Sequence, residues 1–114
     1  MSASGFRVEL DVFSGRPNPT WPLTAEESQD LLARIGQLSP GGGPVPAGLG
    51  YRGFIVYRIE TARPQRWLHV GRGTVWMTGQ KQTQPYRDTE GIEESLRNQA
   101  IARGFGALIP GAST

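Results

Sequence analysis

The sequence predicts an α+β protein in two layers: a mostly antiparallel sheet with two helices on one face. Three observations carry that expectation. Apolar and polar residues alternate from Phe6 and again from Phe54, the period-two pattern of strands with one buried face. Two stretches, one after Thr24 and one after Asp88, open on capping residues and continue at helical spacing. Glycine and proline punctuate the chain between them, at 16 and 9 residues. A length of 114 residues suits a single domain spanning 1–114.

In chain order, Phe6, Val8, Leu10 and Val12 alternate with Arg7, Glu9 and Asp11, which predicts a first strand. It ends in a stretch over residues 14–22 that carries Pro17, Pro19 and Pro22. Proline at that spacing forbids a helix and holds the preceding residues, Arg16 and Asn18 among them, extended. Thr24-Ala25-Glu26-Glu27 is a capping box, in which hydroxyl and carboxylate each satisfy the other residue's backbone amide. A helix over residues 25–37 follows, with Leu31, Leu32, Ile35 and Leu38 on one face. Ser39-Pro40 stops it. Residues 39–50 form a Gly/Pro-rich connection, long enough to suit a functional loop.

Residues 53–60 predict a central strand, because Phe54 and Val56 share one face while Ile55, Tyr57 and Ile59 share the other. Residues 61–65 make a turn. Residues 66–70 predict the next strand, with Trp67 and His69 on one face and Leu68 and Val70 on the other. Gly71-Arg72-Gly73 turns the chain into an extended run over 74–77. Residues 78–87 are polar and glutamine-rich, which predicts an exposed loop. Asp88 or Thr89 caps a second helix, with Ile92, Leu96 and Ala100 as its apolar stripe and Gly104 as its stop. If residues 105–109 add a last strand, the order fits a ferredoxin-like βαββαβ plan. Residues 1–5 and 110–114 are expected to fray.

Composition excludes several function classes. The chain has no cysteine and one histidine, so disulfide scaffolds, thiolate zinc sites, iron–sulfur clusters and cysteine nucleophiles are ruled out. Two acidic clusters, Glu26, Glu27 and Asp30, then Asp88, Glu90, Glu93 and Glu94, lie at helix starts. The helix dipole favours carboxylates there, so solvated helix ends explain them without a metal. No cofactor is expected. No apolar run approaches the roughly 20 residues of a membrane helix, so no membrane partner is expected. The N-terminal residues lack an apolar signal core, which predicts a cytoplasmic protein.

The formal net charge is +2, unevenly spread. Residues 39–87 carry Arg52, Arg58, Arg63, Arg66, Arg72, Lys81 and Arg87 against Glu60 alone. All of the twelve basic residues except Lys81 are arginine, whose planar fork suits carboxylates, phosphates and aromatic faces. Ordinary solvated surface explains the same arginines without a ligand.

Four features bear on function. Gly48-Leu49-Gly50-Tyr51-Arg52-Gly53 has the G-x-G-x-x-G form, yet it opens a strand rather than a helix, so a flexible strand entry explains it better than a dinucleotide site. Tyr51 and Arg52 remain there as large groups able to hold a ligand. The proline-stiffened stretch presents Arg16, Asn18 and Trp21 at low entropy cost, or else serves as a rigid crossover. His69 is the one side chain suited to proton transfer near neutrality, though a lone histidine is more often structural. Arginines interleave with Tyr51, Trp67 and Trp76 through the middle of the chain, as in single-strand nucleic-acid platforms. The small net charge and single lysine argue against that partner.

The reading favoured is a small binding domain. It would hold a small anionic or aromatic molecule, or a peptide segment, on the sheet face opposite the helices. The candidate ligand-binding residues are Arg16, Asn18, Trp21, Tyr51, Arg52, Trp67, Arg72 and Trp76. The alternative is a small cofactor-free enzyme of isomerase, cyclase or hydrolase type with His69 as the catalytic acid or base. A second alternative is a single-stranded nucleic-acid binder. An apolar open face on so short a chain would also favour a homodimer.

Overall fold

The alternation from Phe6 produces strand β1 (Phe6–Leu10), whose Val8 and Leu10 are fully buried while Arg7 is exposed. In the computed structural model, residues 5–13, 15–43, 51–59, 64–79 and 82–109 are described. They form six further strands: β2 (Thr20–Pro22), β3 (Ser39–Pro40), β4 (Phe54–Ile59), β5 (Pro64–Gly71), β6 (Thr74–Thr78) and β7 (Thr83–Arg87). Helix α1 (Ala25–Ile35) lies between β2 and β3, and α2 (Ile92–Ala102) follows β7. The sheet order is β2-β1-β4-β5-β6-β7-β3, and every neighbouring pair is antiparallel. The protein is therefore α+β, its described residues forming a seven-stranded antiparallel sheet with two helices.

The ferredoxin-like plan is not what forms. A split βαβ arrangement sets parallel strands side by side, whereas here β4 to β7 run as a meander of sequential neighbours. Short connections make local antiparallel pairing the cheaper choice. Residues 105–109 do not add a strand either; Gly106–Leu108 is a single 3-10 turn packed behind α2. Two polar stretches expected to be irregular are strands. Thr20–Pro22 pairs along β1, and Thr83–Arg87 pairs with both β6 and β3. Both outer strands are short and carry proline, which blunts them as templates for further pairing.

The capping box forms as the sequence predicts. Glu27 N–H donates to Thr24 Oγ1 at 3.0 Å and Thr24 N–H to Glu27 Oε1 at 2.9 Å. The Asp88 carboxylate accepts the first amides of α2, from Ile92 at 2.7 Å and Glu93 at 2.8 Å. Both helices pack on one face. Leu31, Ile92, Leu96 and Ala100 join Val8, Leu10, Phe54, Val56, Leu68, Val70 and Val75 in one buried cluster. Leu32 departs from the expected apolar stripe and is 48% exposed. Successive helical residues lie about 100° apart, so only one of Leu31 and Leu32 can point at the sheet.

Two local geometries set the sheet's shape. At the β5–β6 hairpin, Arg72 (φ 52°) and Gly73 (φ 78°) both take positive φ between the paired Gly71 and Thr74. That is the signature of a type I′ turn, which follows the strand twist. Between β4 and β5 the register shifts, running Val56↔Leu68 and then Tyr57↔Arg66. Trp67 is the extra residue of this bulge. Its ring leaves the face of His69 and stacks on Phe6 at 5.1 Å, overturning the expectation that Trp67 and His69 share a face.

The expected fraying at residues 1–4 and 110–114, the loop over 44–50 and the turn over 61–63 lie outside the described residues. So do Gly48, Leu49 and Gly50 of the glycine motif. Its last residue, Gly53, enters β4 at φ 96°, where an added Cβ would sit 2.1 Å from the Val70 carbonyl oxygen. Close backbone packing, and no nucleotide, explains that glycine.

Candidate functional site on the helix-free sheet face

Two cross-strand rows occupy the sheet face opposite the helices. The first is Arg7, Tyr57 and Arg66, from three adjacent strands in direct register. The second is Glu9, Ile55, His69, Trp76 and Pro85, one residue from each of five strands. Directly opposed residues on one face bring their Cβ atoms within about 4.5–5.5 Å. The rows differ in exposure. Ile55, His69 and Trp76 are buried, whereas Arg7 and Arg66 are exposed and Tyr57 is half-buried.

The buried row is held by backbone. The Trp76 indole Nε1 donates to the Gly43 carbonyl at 3.1 Å, and Gly43 N–H donates to Thr74 Oγ1 at 3.0 Å. His69 Nε2 lies 2.8 Å from the Arg52 carbonyl oxygen. A carbonyl can only accept, so Nε2 is the donor in this contact. The ring meets Trp76 edge-on at 5.6 Å.

Arg52 braces the same region. Its backbone N–H donates to the Asp11 carbonyl, and its guanidinium donates to Asp11 Oδ1 at 2.8 Å and the Phe13 carbonyl at 2.9 Å. The hydrogen bond it donates to Asp11 holds the guanidinium pKa above its ordinary value, against a smaller opposing effect of desolvation. Asn18 closes the proline-stiffened loop. Its Oδ1 accepts from the Val12 and Phe13 amides, at 3.1 and 2.7 Å, and its Nδ2 donates to Glu9 Oε2 at 2.6 Å. Arg16 is exposed, with its guanidinium 3.8 Å from the centre of the Phe13 ring.

The open row has a different electrostatic character. Both oxygens of Glu9 are taken by neutral donors, Asn18 on one and the Tyr57 hydroxyl on the other at 2.7 Å. Burial, then the hydrogen bond and charge of Glu9, hold the Tyr57 hydroxyl above the ordinary tyrosine value, with Arg66 opposing. Among the described residues, Arg7 and Arg66 make no ion pair. Arg7 reaches only the Thr20 hydroxyl, at 3.5 Å. Two guanidinium groups thus flank a tyrosine with no carboxylate bound directly to either.

The residues singled out from the sequence divide between sites. Asn18, Arg52, His69 and Trp76 come together on the helix-free face, with Arg16 on the loop beside them. Trp21, Tyr51 and Trp67 lie on the helix side. Trp21 is buried, stacks on Phe105 at 5.9 Å and donates its indole N–H to Gln99 Oε1 at 3.0 Å. Tyr51 packs edge-on against Phe54 and donates to Glu93 Oε2 at 2.7 Å, tying the start of β4 to α2. Arg72 is exposed at the tip of the β5–β6 hairpin turn. Sequence reasoning missed Arg7, Glu9, Tyr57 and Arg66. The alternation placed Arg7 and Glu9 on the polar face of β1, but the pairing that brings Tyr57 and Arg66 beside them is not local.

Among the described residues, no three His, Asp or Glu side chains gather as metal ligands. Several members of the acidic clusters have structural work instead: Glu27 and Asp88 cap helices, Asp30 pairs with Arg34, and Glu93 takes Tyr51. Among the same residues, no helix is long and apolar enough to cross a membrane. Comparisons with protein-family models, curated proteins and solved structures find no match.

Proposed function

We propose that this chain is a small ligand-binding domain whose helix-free sheet face holds a small anion between Arg7 and Arg66, with a planar part of the ligand against Tyr57. The observation that carries this reading is the in-register row of Arg7, Tyr57 and Arg66, in which neither guanidinium has a carboxylate partner among the described residues. Each fork can give two parallel charge-assisted hydrogen bonds to a carboxylate or phosphate. The sheet register fixes where the two side chains start, on either side of Tyr57, which lowers part of the ordering cost of binding. Glu9, held by Tyr57 and Asn18, fixes the tyrosine between them.

Benzoate and inorganic phosphate are the probes that test it. Titration followed by amide and arginine side-chain NMR signals should move Arg7, Tyr57 and Arg66 together and saturably. Loss of both arginines in Arg7→Ala/Arg66→Ala should weaken the better probe at least about tenfold, since a hydrogen bond to a charged group contributes about 1.5–3 kcal/mol. Equal binding by native protein and double variant would remove the reading.

A second reading, the cofactor-free enzyme with His69 as acid or base, draws support from the ring's orientation. Donation from Nε2 to the Arg52 carbonyl holds the ring in place and leaves Nδ1 outside that bond, as the nitrogen an acid or base role would use. Diethyl pyrocarbonate tests whether Nδ1 is reachable. Modification of the folded protein supports this reading; a ring that reacts only after unfolding sinks it.

A further inference from the structure

The face of the helix layer carries a second feature, independent of the sheet site. A cleft of about 320 Å³ lies between α1 and α2, lined by Arg34, Gly91, Glu94, Ser95 and Asn98. The four α2-side residues recur at spacings of three and four, so they share one face of the helix. The volume sits near the lower end of small-molecule sites, which run from about 300 to 1,000 Å³.

Arg34 is held rigidly at the cleft. Its Nε donates to Asp30 Oδ2 at 2.8 Å, one turn back on α1. Its Nη1 donates to the Glu90 carbonyl at 2.7 Å and the Gly91 carbonyl at 3.3 Å, where the chain enters α2. Three hydrogen bonds from two directions fix the plane of the guanidinium and leave Nη2 outside these bonds. Across the cleft, the Glu94 carboxylate is exposed and has no hydrogen-bond or ion-pair partner among the described residues. The two opposite charges therefore line one cleft without meeting, since no Arg34–Glu94 bridge forms within 4.0 Å. Direct pairing would have emptied the site of its electrostatics. The gap instead suits a molecule that carries both charges.

We propose that this cleft binds a free α-amino acid. Its carboxylate takes the remaining guanidinium edge of Arg34, and its ammonium takes Glu94. Ser95 and Asn98 supply a hydroxyl and a carboxamide for the remaining hydrogen bonds. A pre-positioned arginine supported by a carboxylate behind it is what precise recognition of a small ion requires. The polar lining selects against a large apolar side chain, so the smaller amino acids fit best.

L-Alanine is the probe, with propionate and ethylammonium as its single-charge halves. In native protein, alanine should move the backbone amide signals of Gly91, Ser95 and Asn98 saturably, and each half should bind at least about tenfold more weakly. Glu94→Gln is the decisive variant, because Glu94 is exposed and Arg34 keeps its bonds to both helices. It should weaken alanine about tenfold and leave propionate bound no more weakly than in native protein. Propionate binding as tightly as alanine would overturn the proposal. So would alanine binding indifferent to Glu94→Gln, or no saturable shift at all. None of these results depends on Arg7 or Arg66, so this site and the sheet site fail separately.

Discussion

The Tyr57 hydroxyl donates to Glu9 Oε1 at 2.7 Å along a diagonal between β4 and β1, two positions from Tyr57's direct partner Arg7. This bond joins the open row of the helix-free face to the proline-stiffened loop, because the other Glu9 oxygen accepts from Asn18. Removing the hydroxyl leaves the half-buried carboxylate short of one donor. Tyr57→Phe should therefore cost about 1–2 kcal/mol, the range for a hydrogen bond to a charged group in partial contact with water. Urea unfolding of the two proteins measures it, and an unchanged midpoint would show that water replaces the hydroxyl.

Alkaline pH should weaken the fold through the same group and through Tyr51. Burial first, and then the adjacent Glu9 or Glu93, hold both hydroxyls above the ordinary tyrosine value. Below about pH 10 both are protonated whether the chain is folded or not, and their contribution to stability is whole. As pH rises past that value the unfolded chain releases its protons first, so stability falls toward the raised folded values. The urea midpoint should hold to about pH 9 and drop between about pH 9.5 and 11.5, and by less in Tyr51→Phe or Tyr57→Phe. A native profile no steeper than the variants' would contradict this sign.

Adjacent leucines on α1 should respond in opposite ways. Leu31 is 4% exposed and belongs to the core, so Leu31→Ala should cost about 2–5 kcal/mol in transfer and cavity terms. Leu32 is 48% exposed, and Leu32→Ala should stay within about 0.5 kcal/mol of native. Thermal or urea unfolding of the pair checks the orientation of α1 directly. Equal losses would mean that Leu32 is covered in solution.

What could be read in advance follows from how local each signal is. Thr24 and Glu27 are three residues apart, so their capping box is complete in the sequence. The stripe of Ile92, Leu96 and Ala100 is equally local, and all three are buried. Phe54 and Ile55 are both buried, as apolar residues on both faces of a central strand require. Thr83–Arg87 shows no alternation and is a strand only because β6 and β3 supply its partners. Alternation alone puts Trp67 on the face of His69, and the structure reverses this because one bulged residue shifts the parity of everything before it. The row of Arg7, Tyr57 and Arg66 joins β1 to a hairpin far along the chain, through a pairing whose register a bulge has shifted, so no spacing rule reveals it. By residue type Trp21 and Tyr51 suit ligand walls, yet their polar atoms are spent on Gln99 and Glu93.

Glycine should be indispensable at position 53 and replaceable at position 73. Both have positive φ, at 96° and 78°, so alanine is strained at each by about 1–2 kcal/mol. An alanine Cβ at 73 meets nothing within 4 Å, whereas at 53 it would lie 2.1 Å from the Val70 carbonyl oxygen. That contact is with backbone at the end of the β4–β5 pairing, beside the Phe54↔Val70 pair, and cannot be relieved by a side-chain rotation. Gly73→Ala should fold with only the backbone cost. Gly53→Ala should lose well over 3 kcal/mol, or fail to accumulate as folded protein. A Gly53→Ala protein as stable as Gly73→Ala would mean that β4 and β5 separate locally at little cost.

The anion site makes a quantitative demand on salt and on coupling. Two arginines holding one ligand should not act independently, so their single and double alanine variants should show an interaction energy of about 0.5–3 kcal/mol in a double-mutant cycle for benzoate or phosphate. Two separate surface charges would give additive losses instead. Both guanidinium groups are exposed, so binding should weaken between 50 and 200 mM salt, where the Debye length shortens past about 10 Å. The same two residues limit what a nucleic acid could gain from this face. For a single strand the logarithmic salt slope is about −0.7 per phosphate engaged, so two contacts predict a slope near −1.4. A measured slope of −4 or steeper with oligo-dT would require several further basic residues in the interface. It would move the functional reading from a small anion to a strand laid across the sheet.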